Sequence, residues 1–278
     1  MDFQYLQSRC ITTECCAKIP SVDCDGCLSV VVIFDYPSSD TALDEALFSL
    51  AAQDHESLDI IVVTPNAGRY HHDRVVSVVS AQPWPNKTRA RVISVLTHTQ
   101  KSISGDLVNA GLLCGTGRYV TLLSHQDLIY QHGYRALINR LENAAIAFGG
   151  VTISTHVYDS RHWMVAGKTH LPAGRIIEYA VEERVSVPPF VADRKRVGSE
   201  YLVVHQPTSR FAMPIFLLQL ARHPGADFTL AGTRILECRY IPNRKPARGG
   251  GRSSAYDVLK TLVEGSQMKF GKNYARQA

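Results

Sequence analysis

The sequence predicts an α/β protein built around a mostly parallel sheet that is flanked by helices. Short apolar runs rich in β-branched residues alternate along the chain with segments in which apolar residues recur every three to four positions. The run from Leu28 to Phe34 is almost continuously apolar, as is typical of a parallel strand covered on both faces. With 278 residues, 45% of them hydrophobic, the chain can form one large domain or one and a half.

Five strands and four helices are predicted in alternation before residue 157. The strands are expected at residues 28–34, 58–63, 91–96, 119–123 and 150–156. The helices are expected at residues 40–53, 72–79, 104–114 and 131–147, and Gly115 and Gly117 end the third. His71 and His72 are expected at an exposed helix start. Alternation of this kind indicates crossovers in which a helix joins successive parallel strands.

The pattern loosens after residue 157 because prolines interrupt it. Residues 211–222 are predicted to be helical and residues 228–239 to form a strand, so the C-terminal part of the fold is expected to be irregular. Residues 241–278 are expected to form a basic Gly/Arg linker and an amphipathic helix. That helix could dock on this domain, on a protein partner or on a membrane surface.

Residues 1–27 have no clear period and are predicted to be an irregular leader that carries five of the seven cysteines. Cys24 and Cys27 have the spacing of a zinc-ligand pair, and Cys15 or Cys16 could supply a further thiolate. No second matched pair of cysteines or histidines follows in the sequence. We therefore favour reduced cysteines that bind no metal.

The net charge of +5 includes basic clusters at residues 194–196 and 244–252. A solvated surface and tail is favoured over a contact with phosphate groups or an anionic membrane. A nucleic-acid partner is not expected, because no aromatic residues are interleaved with the basic ones in a recognisable motif. A secretory leader and a membrane-spanning run are both absent from the sequence, so we expect a cytoplasmic location or a peripheral one at the inner face of the membrane.

Five short segments occur in a characteristic order between residues 28 and 155. They are Val31–Pro37, Ala46–Gln53, Ile60–Asn66, Leu107–Gly111 and Thr116–Asp127. In order and composition they resemble the family 2 glycosyltransferases, which have the GT-A fold. The resemblance implies a GT-A-like domain over residues 28–240, with a nucleotide-sugar-binding half at 28–156 and an acceptor half at 157–240.

The resemblance also implies where a nucleotide-sugar donor would bind, which is at the carboxyl ends of the first strands. The positions that match the family's donor contacts are Asp35, Tyr36, Thr64, Asn109 and Ser124. The sequence departs from the family pattern at this site. Thr64 and Pro65 replace two aspartates that would contact the base, and Ser124 and Gln126 replace both carboxylates of the Asp-x-Asp motif.

The family places a divalent metal on the donor diphosphate, which implies Mn²⁺ or Mg²⁺ here with His125 and Asp127 as candidate ligands. Both lie one position out of register with the motif, and such a shift turns a side chain to the opposite face of a strand. A metal-independent site is the alternative, with basic residues such as 194–196 or 244–252 neutralising the diphosphate. The family's catalytic base falls at Ala212-Met213, so no catalytic residue is predicted.

Two hypotheses follow from this combination of a preserved framework and an altered site. In the first, the protein is a glycosyltransferase that moves a sugar from a nucleotide-sugar donor to a saccharide or lipid-linked acceptor during glycan synthesis. In the second, it is a non-catalytic relative that binds a saccharide or positions an active partner. Glycine-rich phosphate-binding loops and serine-hydrolase motifs are absent from the sequence, which argues against other nucleotide-binding and hydrolase classes.

Overall fold

The computed structural model describes residues 10–17, 25–34, 40–96, 105–159, 162–171, 187–205 and 212–240. The strands of this part of the chain are β1 Cys10–Ala17, β2 Leu28–Ile33, β3 Leu58–Pro65, β4 Thr88–Val95, β5 Tyr119–Ser124, β6 Leu128–Ile129, β7 Ile146–Asp159, β8 His162–Leu171, β9 Phe190–Asp193 and β10 Ala226–Tyr240. The helices are α1 Asp40–Ala51, α2 Arg69–Ser80, α3 Gly105–Cys114, α4 Gly133–Arg140, α5 Arg194–Val197 and α6 Ala212–Ala221.

These strands form one sheet in the order β1-β4-β3-β2-β5-β9-β7-β10-β6. Strand β8 pairs antiparallel with the C-terminal part of β7, from Val151 to Asp159. Strands β2, β3, β4 and β5 pair in parallel, and so do β7 and β10. Because β9 runs antiparallel to both β5 and β7, all six parallel strands point the same way. Their carboxyl ends therefore lie on one edge of the sheet, named here the carboxyl edge, and the opposite edge is the amino edge.

The core explains why the central strands read as almost continuously apolar. Every side chain of β2 is buried, because helices cover both faces of the central sheet. Helix α3 packs so closely on β2 and β3 that a β-carbon at Gly111 would lie 2.1 Å from a methyl group of Val31. The predicted α/β class with a mostly parallel sheet flanked by helices is confirmed.

Several local predictions differ from the structure. Residues 10–17, expected to be irregular, form a strand that pairs antiparallel with β4 at the end of the sheet. The second helix begins at Arg69 rather than His72, because Gly68 with a φ of +96° supplies the turn that starts it. Among the described residues, no helix is both long and apolar enough to cross a lipid bilayer.

A buried carboxylate ties four parts of the amino edge together. Asp59, near the start of β3, accepts hydrogen bonds from Arg89 Nε at 2.9 Å and Arg91 Nη2 at 3.0 Å, both on β4. It also accepts from Ser29 Oγ on β2 at 3.2 Å and from the backbone N–H of Thr116 at 3.2 Å. Burial raises the pKa of this carboxyl, but the arginines outweigh the effect and the pKa lies below its ordinary value.

Replacing this carboxylate should destabilise the fold strongly. Asp59→Asn keeps the shape but leaves Arg89 and Arg91 without their buried counter-charge, which is expected to lower the free energy of unfolding by about 3–5 kcal/mol at pH 7. Because the folded-state pKa is depressed, this stabilisation is present above the unfolded pKa of about 4 and is lost as the pH falls through the folded value. Urea unfolding between pH 3 and pH 7 measures both effects.

Glu56→Gln is the matched control, since Glu56 forms an ion pair with Lys87 that is exposed to solvent at both ends. This variant should unfold at the same urea concentration as the parent protein. An Asp59→Asn variant that also unfolded at the parent concentration would contradict the role given to this carboxylate.

Candidate functional site

Two histidines of α2 close the carboxyl ends of β3 and β4. Thr64 Oγ1 lies 2.8 Å from His71 Nε2, and Ser94 Oγ lies 2.7 Å from His72 Nδ1. Both imidazoles are buried, so the prediction that they form an exposed helix start is wrong. The physical reason is that the first turn of α2 lies across the strand ends, where each hydroxyl provides a partner. Burial, together with the charge of Arg74, lowers the pKa of His71 and keeps this ring neutral.

His125 belongs to the same aromatic group. The ring of Phe34, just after β2, stacks on His71 with centroids 5.7 Å apart, and it meets the edge of His125 at 5.1 Å. The Nδ1 atom and the backbone N–H of His125 each lie 3.1 Å from the carbonyl oxygen of Ile33. His125 is therefore buried against the end of β2.

The turn after β5 carries the other predicted contacts. Ser124 is buried, and its carbonyl accepts from the backbone N–H of Asp127 at 3.0 Å, which closes the turn. The side chain of Asp127 is fully buried. Burial raises the pKa of Asp127 to about 7, against the opposing effects of the Cys238 side chain and the charge of Arg239. The carboxyl group therefore holds its proton to higher pH than an ordinary aspartate does.

Asn109 holds the C-terminal part of the chain to α3. Its side-chain amide donates to the carbonyl of Val204 at 3.0 Å and accepts from the backbone N–H of Val204 at 2.7 Å. This pair of hydrogen bonds is buried and spans 95 positions of the sequence. A ligand that contacted the Asn109 amide would therefore compete with a structural contact.

The remaining predicted contacts, Asp35 and Tyr36, lie outside the described residues. Across the described ranges, no three His, Cys, Asp or Glu side chains come together as metal ligands would. His125 and Asp127 are two buried donors, fewer than a divalent ion takes from a protein and its substrate together. Of the cysteines considered as zinc ligands, Cys27 is buried at the start of β2, while the side chains of Cys15 and Cys16 and all of Cys24 lie outside the description.

The basic cluster at 194–196 lies at the amino edge of the sheet. Arg194 Nη2 donates to the carbonyl of Leu112 at 2.7 Å, and Lys195 Nζ forms an ion pair with Asp25 at 2.6 Å. The cluster follows β9, which runs antiparallel to its neighbours and so ends at the amino edge. The hypothesis that these residues neutralise a diphosphate at the carboxyl edge is therefore wrong.

Arg239 on β10 is the cation that sequence analysis missed. Its Nε donates to the carbonyl of Gln126 in the turn after β5 at 2.6 Å, and its Nη2 donates to the carbonyl of Ala42 in α1 at 3.3 Å. Its Nη1 forms an ion pair with Glu45. The only sequence signal was an arginine at the end of the last predicted strand, and nothing local links it to residue 126.

Asp127→Asn should change how stability depends on pH. The folded pKa of about 7 lies above the unfolded value of about 4. As the pH rises from the lower value to the higher one, the free energy of unfolding of the parent protein should therefore fall by about 4 kcal/mol in total. The neutral amide lacks this loss, so the variant should match the parent near pH 4 and be the more stable protein above pH 7. Urea unfolding across this range measures the difference.

Glu142→Gln, at an exposed position in the turn after α4, should follow the parent profile at every pH. Parallel profiles for Asp127→Asn and the parent would show that Asp127 is ionised in the folded protein at neutral pH.

Comparison with known proteins identifies a similar fold in solved structures. No protein-family model matches the sequence, and no curated protein matches it. S. aureus TarS 1-349 in complex with UDP-GlcNAc aligns with a TM-score of 0.54 at 13% identity, over 85% of this chain and 65% of that one. Its complex with UDP gives 0.54 and 13%, over 85% and 64%.

A mannosyltransferase from Pyrobaculum calidifontis, in complex with GDP-Man and Mn2+, aligns over 91% of this chain and 68% of that one at 14% identity, with a TM-score of 0.49 that is too low to support an argument. The chain spans less than two thirds of the TarS fragment that it matches. At such identities the similarity to TarS shows a shared fold. The protein has a GT-A-like α/β fold with a mostly parallel sheet flanked by helices.

Proposed function

We propose that this protein is a family 2 glycosyltransferase-like enzyme with an altered active site. In this proposal it binds a nucleotide-sugar donor at the carboxyl edge and transfers the sugar to a saccharide or lipid-linked acceptor in glycan synthesis. Open α/β sheets bind ligands at this edge. TarS, which shares the fold, has been solved with UDP-GlcNAc and with UDP, and this supports the same class of donor here.

The position of Arg239 is the observation that carries the proposal. Transfer breaks the bond between C1 of the sugar and the diphosphate oxygen, and the acceptor oxygen bonds to C1 while its proton passes to a base or to water. Negative charge collects on the diphosphate and needs a fixed cation. Arg239 is held by the carbonyls of Gln126 and Ala42, beside the turn where the family resemblance places the diphosphate and its metal.

Glu45 is the group that a diphosphate would displace from Arg239. Its side chain is 49% exposed, and an ion pair with an exposed partner contributes little to stability. A diphosphate could take over the Nη1 contact while the two backbone carbonyls keep the guanidinium in place. The donor would then bind with its leaving group on a preformed cation.

Two buried side chains are the candidates for holding a metal cofactor. His125 and Asp127 remain the candidate ligands for Mn²⁺ or Mg²⁺, but both are buried and the described residues offer no third ligand beside them. Arg239 can provide the positive charge that a metal supplies in the family. A metal-independent site is therefore the form of the proposal that these contacts support best.

A non-catalytic scaffold is the second candidate, and specific contacts favour it. Thr64 and Ser124, which replace the family's carboxylates, are buried and already hydrogen-bonded within the protein. The positions expected to hold the catalytic base, Ala212 and Met213, are buried at the start of α6 as part of the core. A partner or membrane contact through the basic tail also belongs to this candidate, and the tail lies outside the described residues.

Calorimetric titration with UDP-, GDP- and dTDP-sugars, each with and without Mn²⁺, tests donor binding. We expect at least one donor to bind, and we expect Arg239→Met to weaken that binding at least about tenfold because a charged hydrogen-bond donor to the diphosphate is lost. Arg135→Met is the matched control, since Arg135 forms a partly exposed ion pair with Asp54 in the segment between α1 and β3 and has no contact with the turn after β5 among the described hydrogen bonds. Its donor affinity should equal that of the parent protein.

The two candidates separate in a second measurement. Release of free nucleoside diphosphate after an acceptor is added would support the transferase, whereas donor binding without release would support the scaffold. If no donor binds with or without Mn²⁺, the proposed donor site is wrong.

A further inference from the structure

A set of polar side chains lines one face of the sheet beyond the predicted donor site. The pairing of β8, β7 and β10 aligns His170, Thr152 and Glu237 in one row across the three strands. The next row on the same face consists of Lys168, Ser154 and Arg239. These six residues are named here the polar face. The opposite face of the same strands is apolar, with Val151, Leu171 and Leu236 in register.

The polar face is unusual because much of it is buried. A sheet with one apolar face usually exposes the other face to water. Here Thr152 and Ser154 are buried, and the side chains of Glu237 and Arg239 are only 12% and 14% exposed. Buried polar groups carry more information about function than exposed ones, because their desolvation must be compensated.

Three donors converge on Glu237 at the centre of this face. Tyr130 Oη donates at 3.1 Å, Lys168 Nζ donates at 2.9 Å, and Ser154 Oγ also donates to the carboxylate. Burial raises the pKa of Glu237, but hydrogen bonds from Ser154, Lys168 and Tyr130 outweigh burial and hold the pKa below its ordinary value. Glu237 is therefore an ionised carboxylate in a fixed orientation at neutral pH.

Two histidines of β7 and β8 have further hydrogen-bonding capacity. Within the described part of the chain, both ring nitrogens of His170 and the Nε2 atom of His156 are buried and make no hydrogen bond. Each buried polar atom left in this state costs about 1–3 kcal/mol, which a hydroxyl group of a ligand could recover. The face thus offers more donors and acceptors than its own contacts use.

The polar face is continuous with the predicted donor site. Arg239 belongs to the face and also contacts the carbonyl of Gln126 in the turn after β5. Tyr130, which donates to Glu237, follows that turn by three residues. A ligand on the polar face would therefore lie next to a donor at the carboxyl edge.

We infer that the polar face is the subsite that binds the saccharide acceptor, with Glu237, Lys168 and Tyr130 as the groups that hydrogen-bond its hydroxyls. This inference rests on the proposed function. The charge of Lys168 is balanced by Glu237, and Arg239 is assigned to the donor diphosphate, so the rest of the polar face suits a neutral polyol better than an anion. Val165, 49% exposed and paired with His156, adds apolar surface for the ring of a sugar.

Saturation-transfer NMR with the full chain tests this subsite. The probes are the methyl glycosides of glucose, galactose, mannose and N-acetylglucosamine at millimolar concentration. At least one should bind, and Lys168→Gln and Glu237→Gln should each weaken its binding about tenfold, as expected for loss of a charged hydrogen-bonding group. Tyr130→Phe, which removes only the hydroxyl group, should act in the same direction.

Lys87→Gln is the matched control, because Lys87 is an exposed lysine that forms an ion pair with Glu56 at the amino edge. Its glycoside binding should equal that of the parent protein. Lys168 is 52% exposed, so its variant is expected to fold even if Glu237→Gln does not. Absence of glycoside binding, or equal binding by the parent and Lys168→Gln, would overturn the inference.

Donor titration of the same samples separates this inference from the proposed function. If Lys168→Gln loses glycoside binding but keeps donor affinity, both are supported. If the parent binds a donor but no glycoside, the inference that the polar face binds the acceptor is overturned and the proposed donor site is supported. If the parent binds a glycoside through Lys168 but no donor, the saccharide-binding face is supported and the proposed transfer is overturned.

Discussion

The buried carboxylate of Asp59 is the constraint on which the central sheet depends. It accepts hydrogen bonds from β2, from β4 and from the turn that leads into β5, and so fixes four consecutive strands at the amino edge. Asp193 acts in the same way further along that edge, where it is buried and accepts from Arg118 Nη2 at 2.7 Å. Because burial raises the cost of breaking such a charged pair, the frame is rigid at this edge. The loops at the carboxyl edge can then serve other functions.

At the carboxyl edge, contacts between hydroxyl groups and imidazoles close the ends of β3 and β4. The pairs Thr64 with His71 and Ser94 with His72 join hydroxyl groups to imidazoles, and burial keeps the His71 ring uncharged. Clustered carboxylates without a metal would repel one another at these strand ends. Hydroxyl–imidazole pairs avoid that repulsion, and Arg239 contacts the nearby turn after β5 while it forms an ion pair with Glu45. This arrangement is consistent with both the metal-independent transferase and the scaffold.

Sequence reasoning succeeded where the signal is local and failed where it is not. Burial on both faces produces the apolar runs of β2 and β3, and close helix packing requires the glycine in α3. Both constraints are visible in a few adjacent residues of the sequence. The burial of His72 depends on Ser94, 22 positions later, and the contact of Arg239 with Gln126 spans 113 positions. Residues 10–17 alternate too weakly to show a strand, since that strand gains its order by pairing with β4 at the end of the sheet. The positions of the predicted contact residues could therefore be determined only once the fold was known.

Strand β10 relates the two halves of the proposed site. Glu237 and Arg239 are two positions apart, so their side chains lie on the same face about 6–7 Å apart along the strand. One contacts the groups of the polar face, and the other contacts the turn after β5. Pairing of Glu237 with Leu128 on β6 and with Thr152 on β7 fixes this register from both sides. A slip of one residue would turn both side chains to the apolar face. The distance between the proposed diphosphate cation and the proposed saccharide carboxylate is thus set by backbone pairing, which makes it a property of the fold and not of flexible side chains.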